Sequence, residues 1–408
     1  MLSEMIGGMT DHDVRTLADD ELRTAQDLFR STLHVKPITD EEWPQVRAAV
    51  QDGPTLGVTD GESGALIGTA RSFESAMTLP GGAGVPIGGV THVGVRADRT
   101  RRGVLTELMH AQLTDLAERG MVAAGLHASE TSIYGRFGYG VATCARDYTV
   151  DRRFARFRSD APVGGRVEIR TVEAAIELFA DAYPRTATRP GMLTRPAGWW
   201  AQLRRTLERQ DGPVTAITHE GADGVDGYAV YSVDRPQPGP ATLRLVDLQC
   251  AGPESFAGLW RYLLSVDLVH DITASGRPLD EPLELLLTDP RAVSTIAQFD
   301  DLWLRLIDVP TALAMRTYAG ESLVLDVTDP VLPGNDGCYR VGPDGAARTE
   351  DPAALHLDVD ALAMIYLGAW RPSQLVDTGR VRASTPGAAR QADRLFATSA
   401  PPWCGTFF

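Results

Sequence analysis

The sequence predicts a mixed α+β protein made of two similar units followed by a smaller third unit. Its 408 residues exceed what one hydrophobic core usually serves, so two or three domains are expected. Hydrophobic residues make up 43% of the chain and charged residues 23%, which is typical of folded globular proteins. The order of strands and helices predicted before Arg152 begins again at Val167. The fold class follows from these observations, and the elements follow from local patterns.

Hydrophobic periodicity and turn residues define the elements of the first unit. The predicted elements, in chain order, are a strand over 11–18, a helix over 19–32, strands over 55–59, 65–77 and 88–96, a helix over 103–119 and a strand over 121–128. Acidic residues begin the first helix, and the second carries its apolar residues at the 3.6-residue period. A glycine-rich segment follows at 134–140, and the stretch 152–165 is the predicted linker.

The second unit repeats the order of the first but lacks a basic loop before its main helix. Its predicted elements are a strand over 167–172, a helix over 173–183, strands near Val214, Tyr228 and Leu243, and a helix over 254–265. The third unit's predicted elements are strands over 302–308 and 322–327 and an amphipathic helix over 360–367. Its tail contains Trp403, Phe407 and Phe408, which are too apolar to remain in water, so we expect the tail to dock.

Composition and charge argue against several classes of function. Acidic residues outnumber basic ones by 54 to 39, and a net charge of −15 repels nucleic acid and attracts cations. The four cysteines form no C-x-x-C pair and no H-E-x-x-H motif occurs, so neither a disulfide framework nor a metal site is predicted. No apolar run approaches the roughly 20 residues needed to cross a bilayer, and residues 1–13 lack the pattern of a signal peptide. We expect a cytoplasmic protein without a metal, nucleic-acid or membrane partner.

The most informative segment joins the strand over 88–96 to the helix over 103–119. The loop between them contains Arg99, Arg101 and Arg102, and Arg96 precedes it. A helix start offers unpaired N–H groups and a positive dipole end, which suit a pyrophosphate. Gly103 lets the backbone approach phosphates closely, and arginines add charge-assisted contacts. The loop therefore fits coenzyme A, and a solvated basic loop is the alternative interpretation.

Strand, arginine-rich loop, glycine and helix together resemble the acetyl-CoA motif of the GNAT acetyltransferase superfamily. The segments 128–140 and 149–157, the motifs at 302–305 and 366–369 and the final phenylalanine resemble the Eis family of aminoglycoside N-acetyltransferases. The resemblance spans the chain. It implies a GNAT domain with the acetyl-CoA site over 1–160, a second GNAT-like domain without a cofactor site over 161–299, and a sterol-carrier-like domain over 300–408. It also implies a homohexamer.

The resemblance implies roles for individual residues. Those implied to bind acetyl-CoA are Val93, Gly94, Val95, Arg101, Arg102, Gly103, Val104, Leu105, Thr106, Ser129 and Glu130. The backbone of the first three would pair with the pantetheine arm, and 101–106 would hold the phosphates. Tyr134 corresponds to the general acid that protonates the CoA thiolate, and the terminal carboxylate of Phe408 corresponds to the base that deprotonates the amine. Such groups suit an amine that must lose its proton before attack. His92 and His127 are rival proton acceptors, or else ordinary sheet histidines.

Two positions depart from the family pattern, and several acceptors remain open. Thr100 stands where the loop usually has Gln or Arg, and Phe407 stands where the tail commonly has an acidic residue. The resemblance implies acetylation of polycationic amines, aminoglycosides foremost. Protein lysines or polyamines are alternative acceptors. A non-catalytic scaffold that binds CoA, or lipid through the apolar stretch 355–367, is the alternative outside the enzymes.

Overall fold

The computed structural model describes residues 13–49, 53–210, 212–236 and 238–408. The strands in them are β1 (Val14–Thr16), β2 (Thr55–Thr59), β3 (Leu66–Thr78), β4 (Gly84–Val95), β5 (Ala123–Leu126), β6 (Gly140–Val141), β7 (Cys144–Asp151), β8 (Arg166–Arg170), β9 (Val214–Gly221), β10 (Gly224–Asp234), β11 (Ala241–Cys250), β12 (Val269–Pro278), β13 (Val293–Asp300), β14 (Trp303–Leu306), β15 (Leu323–Thr328), β16 (Gly337–Gly342), β17 (Gly345–Arg348), β18 (Leu355–Asp358) and β19 (Val381–Ala383). Residues 1–12, which contain most of the stretch without a signal-peptide pattern and the start of the strand predicted over 11–18, lie outside the described part.

The α-helices pack on the faces of three sheets. They are α1 (Leu22–Thr32), α2 (Trp43–Ala49), α3 (Val104–Glu118), α4 (Thr131–Tyr134), α5 (Val172–Thr186), α6 (Ala197–Glu208), α7 (Pro253–Ser265), α8 (Leu283–Leu286), α9 (Val309–Met315), α10 (Val359–Tyr366), α11 (Pro372–Asp377) and α12 (Ala388–Leu395). The sheet orders are β1-β2-β3-β4-β5-β14-β6, then β13-β7-β12-β11-β10-β9-β8, then β17-β16-β15-β18-β19. The predicted mixed α+β class is confirmed. No helix in the described part is long and apolar enough to span a membrane.

Two chain segments cross between the first and second sheets side by side. One runs from β6 in the first sheet into β7 in the second, and the other runs from β13 in the second into β14 in the first. At the crossing the Thr143 hydroxyl donates to the Asp301 carboxylate at 3.0 Å and accepts from the Leu302 amide at 2.8 Å. The expected units 1–160, 161–299 and 300–408 therefore do not coincide with the sheets. The hydrophobic pattern of a strand shows which of its faces is buried but not which strand it pairs with. It therefore did not reveal that β7 joins the second sheet and β14 the first.

A buried ion pair fastens the third unit to the first sheet. Arg305 on β14 and Asp329 are both fully buried, and a guanidinium nitrogen lies 2.6 Å from the carboxylate. The same guanidinium donates to the main-chain oxygens of Phe137 at 2.8 Å and Leu306 at 2.6 Å. A buried charge requires such complete pairing, because removal of one partner leaves the other desolvated and uncompensated.

We expect Arg305→Met to lower the free energy of unfolding by about 3 kcal/mol, the lower end for a broken buried pair. The expected destabilisation is near the lower value because Asp329 would still accept hydrogen bonds from the side chain of Asn335 and from the amides of Val331 and Leu332. Urea denaturation measures the change. Arg340→Met is the control, since Arg340 pairs with Asp351 while both side chains are half exposed, and such pairs contribute about 0–1 kcal/mol. Equal losses in the two variants would contradict the role of the buried pair.

Candidate active site

β4 and β5 run parallel only briefly and then separate. Residues 87–89 of β4 pair with 123–125 of β5, and no pairing continues beyond them. On its other side β4 stays paired with β3 up to Val95. The edge of β4 over 90–95 that faces β5 therefore has no partner strand within the described residues. Its main-chain groups can bind an extended ligand that carries amides.

A β-bulge in β4 lies at this opening. Thr91 pairs with Arg71 and Gly94 pairs with Thr69, so His92 and Val93 together stand opposite Ala70. His92 has a φ of 51°, in the left-handed region that a non-glycine residue rarely adopts. The two side chains at the bulge line different cavities: His92 lines one and Val93 lines the other. Bulges of this kind commonly re-aim side chains beside active sites.

Helix α3 begins at the mouth of the opening. Gly103 precedes it with a φ of 89°, and no side chain caps the helix start. Helix geometry leaves the N–H groups of Val104, Leu105 and Thr106 without intrahelical partners. A Cβ on Gly103 would meet no protein atom within 4 Å, so it would project into open space at the helix start. The combination of free N–H groups, dipole and open approach suits a pyrophosphate.

A cavity of about 910 Å³, here called the α3 cavity, joins the open edge of β4 to the start of α3. It is lined by all of the residues predicted to bind acetyl-CoA except Arg102, and by Tyr134. Thr32, Leu33 and Arg136 also line it, and sequence reasoning missed them. Thr32 is the last residue of α1. Its position over β4 depends on how α1 packs against the sheet, which local sequence patterns do not show. Arg136 was visible in the glycine-rich segment as a cation beside Tyr134.

The four loop arginines are not equivalent. Arg99 is held by Asp60 at 3.0 Å and Arg96 by Asp98 at 2.6 Å, so both are already paired with carboxylates. Arg101 has a φ of 61° and lines the α3 cavity, whereas Arg102 does not. Phosphate binding in this geometry would therefore rely on the helix start and on Arg101 more than on the whole arginine run.

Tyr134 ends the short helix α4 and is buried against Tyr139, with 5.9 Å between the ring centroids. Burial raises the pKa of Tyr134 to about 12, so the phenol keeps its proton at neutral pH. The two tyrosines differ in what their hydroxyls face. Tyr134 lines the α3 cavity, whereas the Tyr139 hydroxyl is buried and has no hydrogen-bond partner among the described residues.

The C-terminal tail docks between the first two sheets, as its apolar residues predict. The Trp403 indole donates to the Gly276 carbonyl at 2.8 Å. Arg195 donates to the Gly405 carbonyl at 2.6 Å and to the Thr406 hydroxyl at 3.1 Å. The Trp199 indole donates to the Phe407 carbonyl at 3.0 Å. The last residues are thus held through their main chain by the second unit.

The chain ends in a second cavity, here called the tail cavity, of about 380 Å³. Phe408 lines it, and its ring packs edge-on against Phe73 with 5.0 Å between centroids. His92 lines the same cavity and is followed in sequence by Val93, which lines the α3 cavity. The two cavities therefore lie on either side of the β4 bulge, with Tyr134 in one and the chain terminus in the other.

Both rival histidines lie close to this region. Burial, with a smaller contribution from the positive charge of Arg71, lowers the pKa of His92 to about 4, so its imidazole is neutral and a weak base. His127 lies between the main-chain oxygens of Asp301 and Thr406, each 3.0 Å from one ring nitrogen. Both nitrogens of His127 are therefore directed at carbonyls and away from an incoming amine.

The comparable region of the second unit is built differently. Its helix α7 begins with Pro253, which has no N–H group, and Ser255 bonds to the main chain of Gly252 at the helix start. The strands β11 and β12 pair over five positions, 241–245 with 269–274, so they stay together for longer than β4 and β5. A proline and a capped start offer less to a phosphate than α3 does.

Comparison with known proteins identifies the three parts of the chain. Residues 13–142 and 191–306 each match an acetyltransferase (GNAT) domain, and residues 309–405 match a sterol carrier protein domain. An N-acetyltransferase Eis of Mycobacterium tuberculosis is 37% identical over 402 residues, covering 89% of this chain and 96% of its own. The chain belongs to the Eis family of N-acetyltransferases. The predicted family and the predicted order of two GNAT domains and a sterol-carrier-like domain are confirmed.

A further sequence relative and a solved structure are also similar to this chain over nearly its whole length. An uncharacterized N-acetyltransferase of Streptomyces avermitilis is 36% identical over 406 residues, covering 96% of this chain and 98% of its own. The crystal structure of Eis1 from Mycobacterium abscessus is similar with a TM-score of 0.88 at 36% identity, covering 97% of this chain and 100% of that one. The protein is therefore an enzyme of the GNAT N-acetyltransferase type, a class that uses acetyl-CoA. No group of His, Cys, Asp or Glu side chains that could hold a metal ion occurs in the described ranges.

We expect Gly103→Val to weaken acetyl-CoA binding strongly, because the side chain would project into the space in front of the α3 N–H groups. Isothermal titration calorimetry with acetyl-CoA measures the change. Gly120→Val is a matched control, since Gly120 follows the other end of α3, also has a positive φ, of 72°, and also has open space around its Cβ position. Unchanged acetyl-CoA affinity in Gly103→Val would place the phosphates elsewhere.

Proposed function

We propose that this enzyme transfers the acetyl group of acetyl-CoA directly to a primary amine, with Tyr134 as general acid and the terminal carboxylate of Phe408 as general base. The observation that supports this most is the arrangement around the β4 bulge. The α3 cavity with its phenol lies on one side, and the cavity that receives the chain terminus lies on the other. A direct transfer requires both substrates to meet at one opening.

Acetyl-CoA supplies a thioester whose acetyl carbon forms a bond to the amine nitrogen as its bond to sulfur breaks. The chain offers matching groups for the ligand. The free edge of β4 at 93–95 can pair with the pantetheine amides, and the N–H groups of 104–106 with Arg101 can hold the pyrophosphate. Ser129 and Glu130 line the opposite wall after β5.

Tyr134 is suited to donate a proton to the departing sulfur. Its suitability rests on position: the phenol is protonated at neutral pH and lines the cavity in which the thioester would lie, while burial makes it a weaker acid by raising its pKa. A positioned acid of this kind donates a proton to the sulfur, so that CoA leaves as a thiol and not as a free thiolate. No cysteine is among the residues that line either cavity, and burial raises the pKa of Cys144 to about 11, so a covalent acyl-cysteine is not supported.

Phe408 is the better of the three candidate bases. A terminal carboxylate attracts an ammonium group and can accept the proton that the amine must lose. The depressed pKa of His92 and the two carbonyl contacts of His127 make these histidines poorer acceptors. The main-chain bonds to the carbonyls of Gly405 and Phe407 would hold the carboxylate in place.

The acceptor implied by family resemblance is a polycationic amine such as an aminoglycoside, with polyamines and protein lysines as alternatives. The cytoplasmic location, the homohexamer and the divisions 1–160, 161–299 and 300–408 are likewise proposals from the sequence. A scaffold that binds CoA or lipid without catalysis was the alternative left open by the sequence. The apolar stretch 355–367 that suggested lipid binding is largely buried in the core of the third unit, which favours the enzyme.

We expect Tyr134→Phe to retain the fold and acetyl-CoA binding while kcat falls by roughly 10²-fold or more, the usual effect of removing a general acid. Steady-state kinetics with calorimetry separates these effects. Tyr139→Phe makes the same chemical change beside it, on a hydroxyl without a partner, and should keep kcat. If Tyr134→Phe matches that control in kcat, Tyr134 has only a packing role.

We expect a short extension after Phe408 to lower the rate by roughly 10²–10⁴-fold, because an amide replaces the carboxylate and cannot accept the amine's proton. An N-terminal extension of equal length controls for bulk and misfolding. The measurement is kcat/KM on proteins of confirmed intact mass. Full activity in the C-terminally extended enzyme would eliminate the carboxylate and direct attention to His92→Gln and His127→Gln.

A further inference from the structure

The tail cavity has a basic and aromatic lining that the polycationic substrate class does not explain. Three arginines line it, Arg30 from α1, Arg71 from β3 and Arg205 from α6. Its rings are those of Phe73, Trp199, Phe407 and Phe408. No Asp or Glu side chain of the described residues is among its lining residues, and Phe408 lines it beside the arginines.

Two of these arginines lack a carboxylate partner within the described residues. Arg30 donates its Nε–H to the main-chain oxygen of Lys36 at 2.6 Å and forms no ion pair there. Among the described residues no hydrogen bond or ion pair holds the Arg205 guanidinium, and the nearby carboxylate of Glu42 pairs with Arg209. Burial lowers the pKa of Arg205, and the positive charges of Arg209 and Arg30 add to this against the opposing charge of Glu42. A bound anion would reduce the electrostatic repulsion among these guanidinium groups.

We infer that the acceptor of this enzyme is a primary amine that also carries an anionic group, a carboxylate or a phosphate, on an aromatic or apolar body. The inference rests on the proposed function, because it places the amine at the Phe408 carboxylate. The anion would then contact Arg30 and Arg205, and the body would pack on Phe73 and Trp199. A polycation in the same cavity would bring its charges against the guanidinium groups of Arg30 and Arg205.

The neighbouring aspartates do not reverse this preference. Phe407, Trp199 and Leu203 separate the tail cavity from a third cavity of about 450 Å³, here called the aspartate cavity, which is lined by Asp247, Asp300 and Asp301. All three carboxylates are already bonded within the protein. Asp247 pairs with Arg195 at 2.6 Å, Asp300 accepts from the Trp303 indole at 2.5 Å, and Asp301 accepts from the Cys404 amide at 3.2 Å.

Two acceptors that differ only in the anion test the inference on the full-length enzyme. 4-(Aminomethyl)benzoate and 4-(aminomethyl)benzamide share the amine and the ring, and kanamycin represents polycationic amines. We expect kcat/KM to favour the benzoate over the benzamide by roughly 10-fold or more, the range of one charge-assisted contact. Kanamycin should be the poorest of the three.

Variants on α6 link this preference to the cavity. We expect Arg205→Gln to reduce the benzoate-to-benzamide ratio to about a tenth or less of the wild-type value, as for a lost contact to a charged group. Arg204→Gln is the matched control, because Arg204 precedes it on the same helix, is 55% exposed and does not line the tail cavity. It should keep the wild-type ratio.

The outcomes separate the inference from the proposed function. Equal or better turnover of the benzamide or of kanamycin, or an unchanged ratio in Arg205→Gln, overturns the anionic acceptor and leaves the acetyltransferase mechanism standing. Failure to acetylate any of the three amines, with acetyl-CoA still bound by calorimetry, overturns the proposed function and this inference with it.

Discussion

The pairing of β14 with β5 and β6 is the constraint on which the rest of the molecule depends. β14 fills the gap between two strands of the first sheet, with Trp303 opposite Leu126 and Val141. The chain enters it directly from β13 of the second sheet, so the two sheets are joined by a short antiparallel crossing beside β6 and β7. Because the third unit follows β14, its position is fixed by the same strand and by the buried bond of Arg305 to Asp329.

This constraint explains why the α3 cavity and the tail cavity, the proposed sites of the two substrates, are built from different parts of the chain. The α3 cavity is built from the first sheet and its helices alone, with residues between Thr32 and Arg136. The tail cavity needs every unit: Phe73 comes from the first, Trp199 from the second and Phe408 from the end of the third. The proposed cofactor site therefore depends on the first unit alone, whereas the tail cavity forms only when all three units have folded.

The sequence predicted what local patterns control and missed what depends on distant partners. The helix expected over 103–119 is found as Val104–Glu118, since its apolar spacing and loop signals are local. The exchange of β7 and β14 was invisible, because alternation shows a strand's faces and not its neighbours. Helix α6, with Arg205, was not predicted, although Pro196 precedes it and Gly212 and Pro213 follow it as ordinary start and stop signals. The resemblance located the residues of the α3 cavity but could not supply the arginines of the tail cavity.

The net charge of −15 and the basic lining of the tail cavity act over different distances. Exposed charges farther apart than the Debye length, about 8 Å in physiological salt, are largely screened, while charges within a partly buried cavity are screened much less. An anion in that cavity therefore responds to Arg30 and Arg205 and not to carboxylates elsewhere on the surface. The net negative charge of the chain would attract a polycation to the exposed surface. It would not determine which ligand binds inside the tail cavity. Because Phe407 lines both the tail cavity and the aspartate cavity, the docked tail separates a basic cavity from an acidic one.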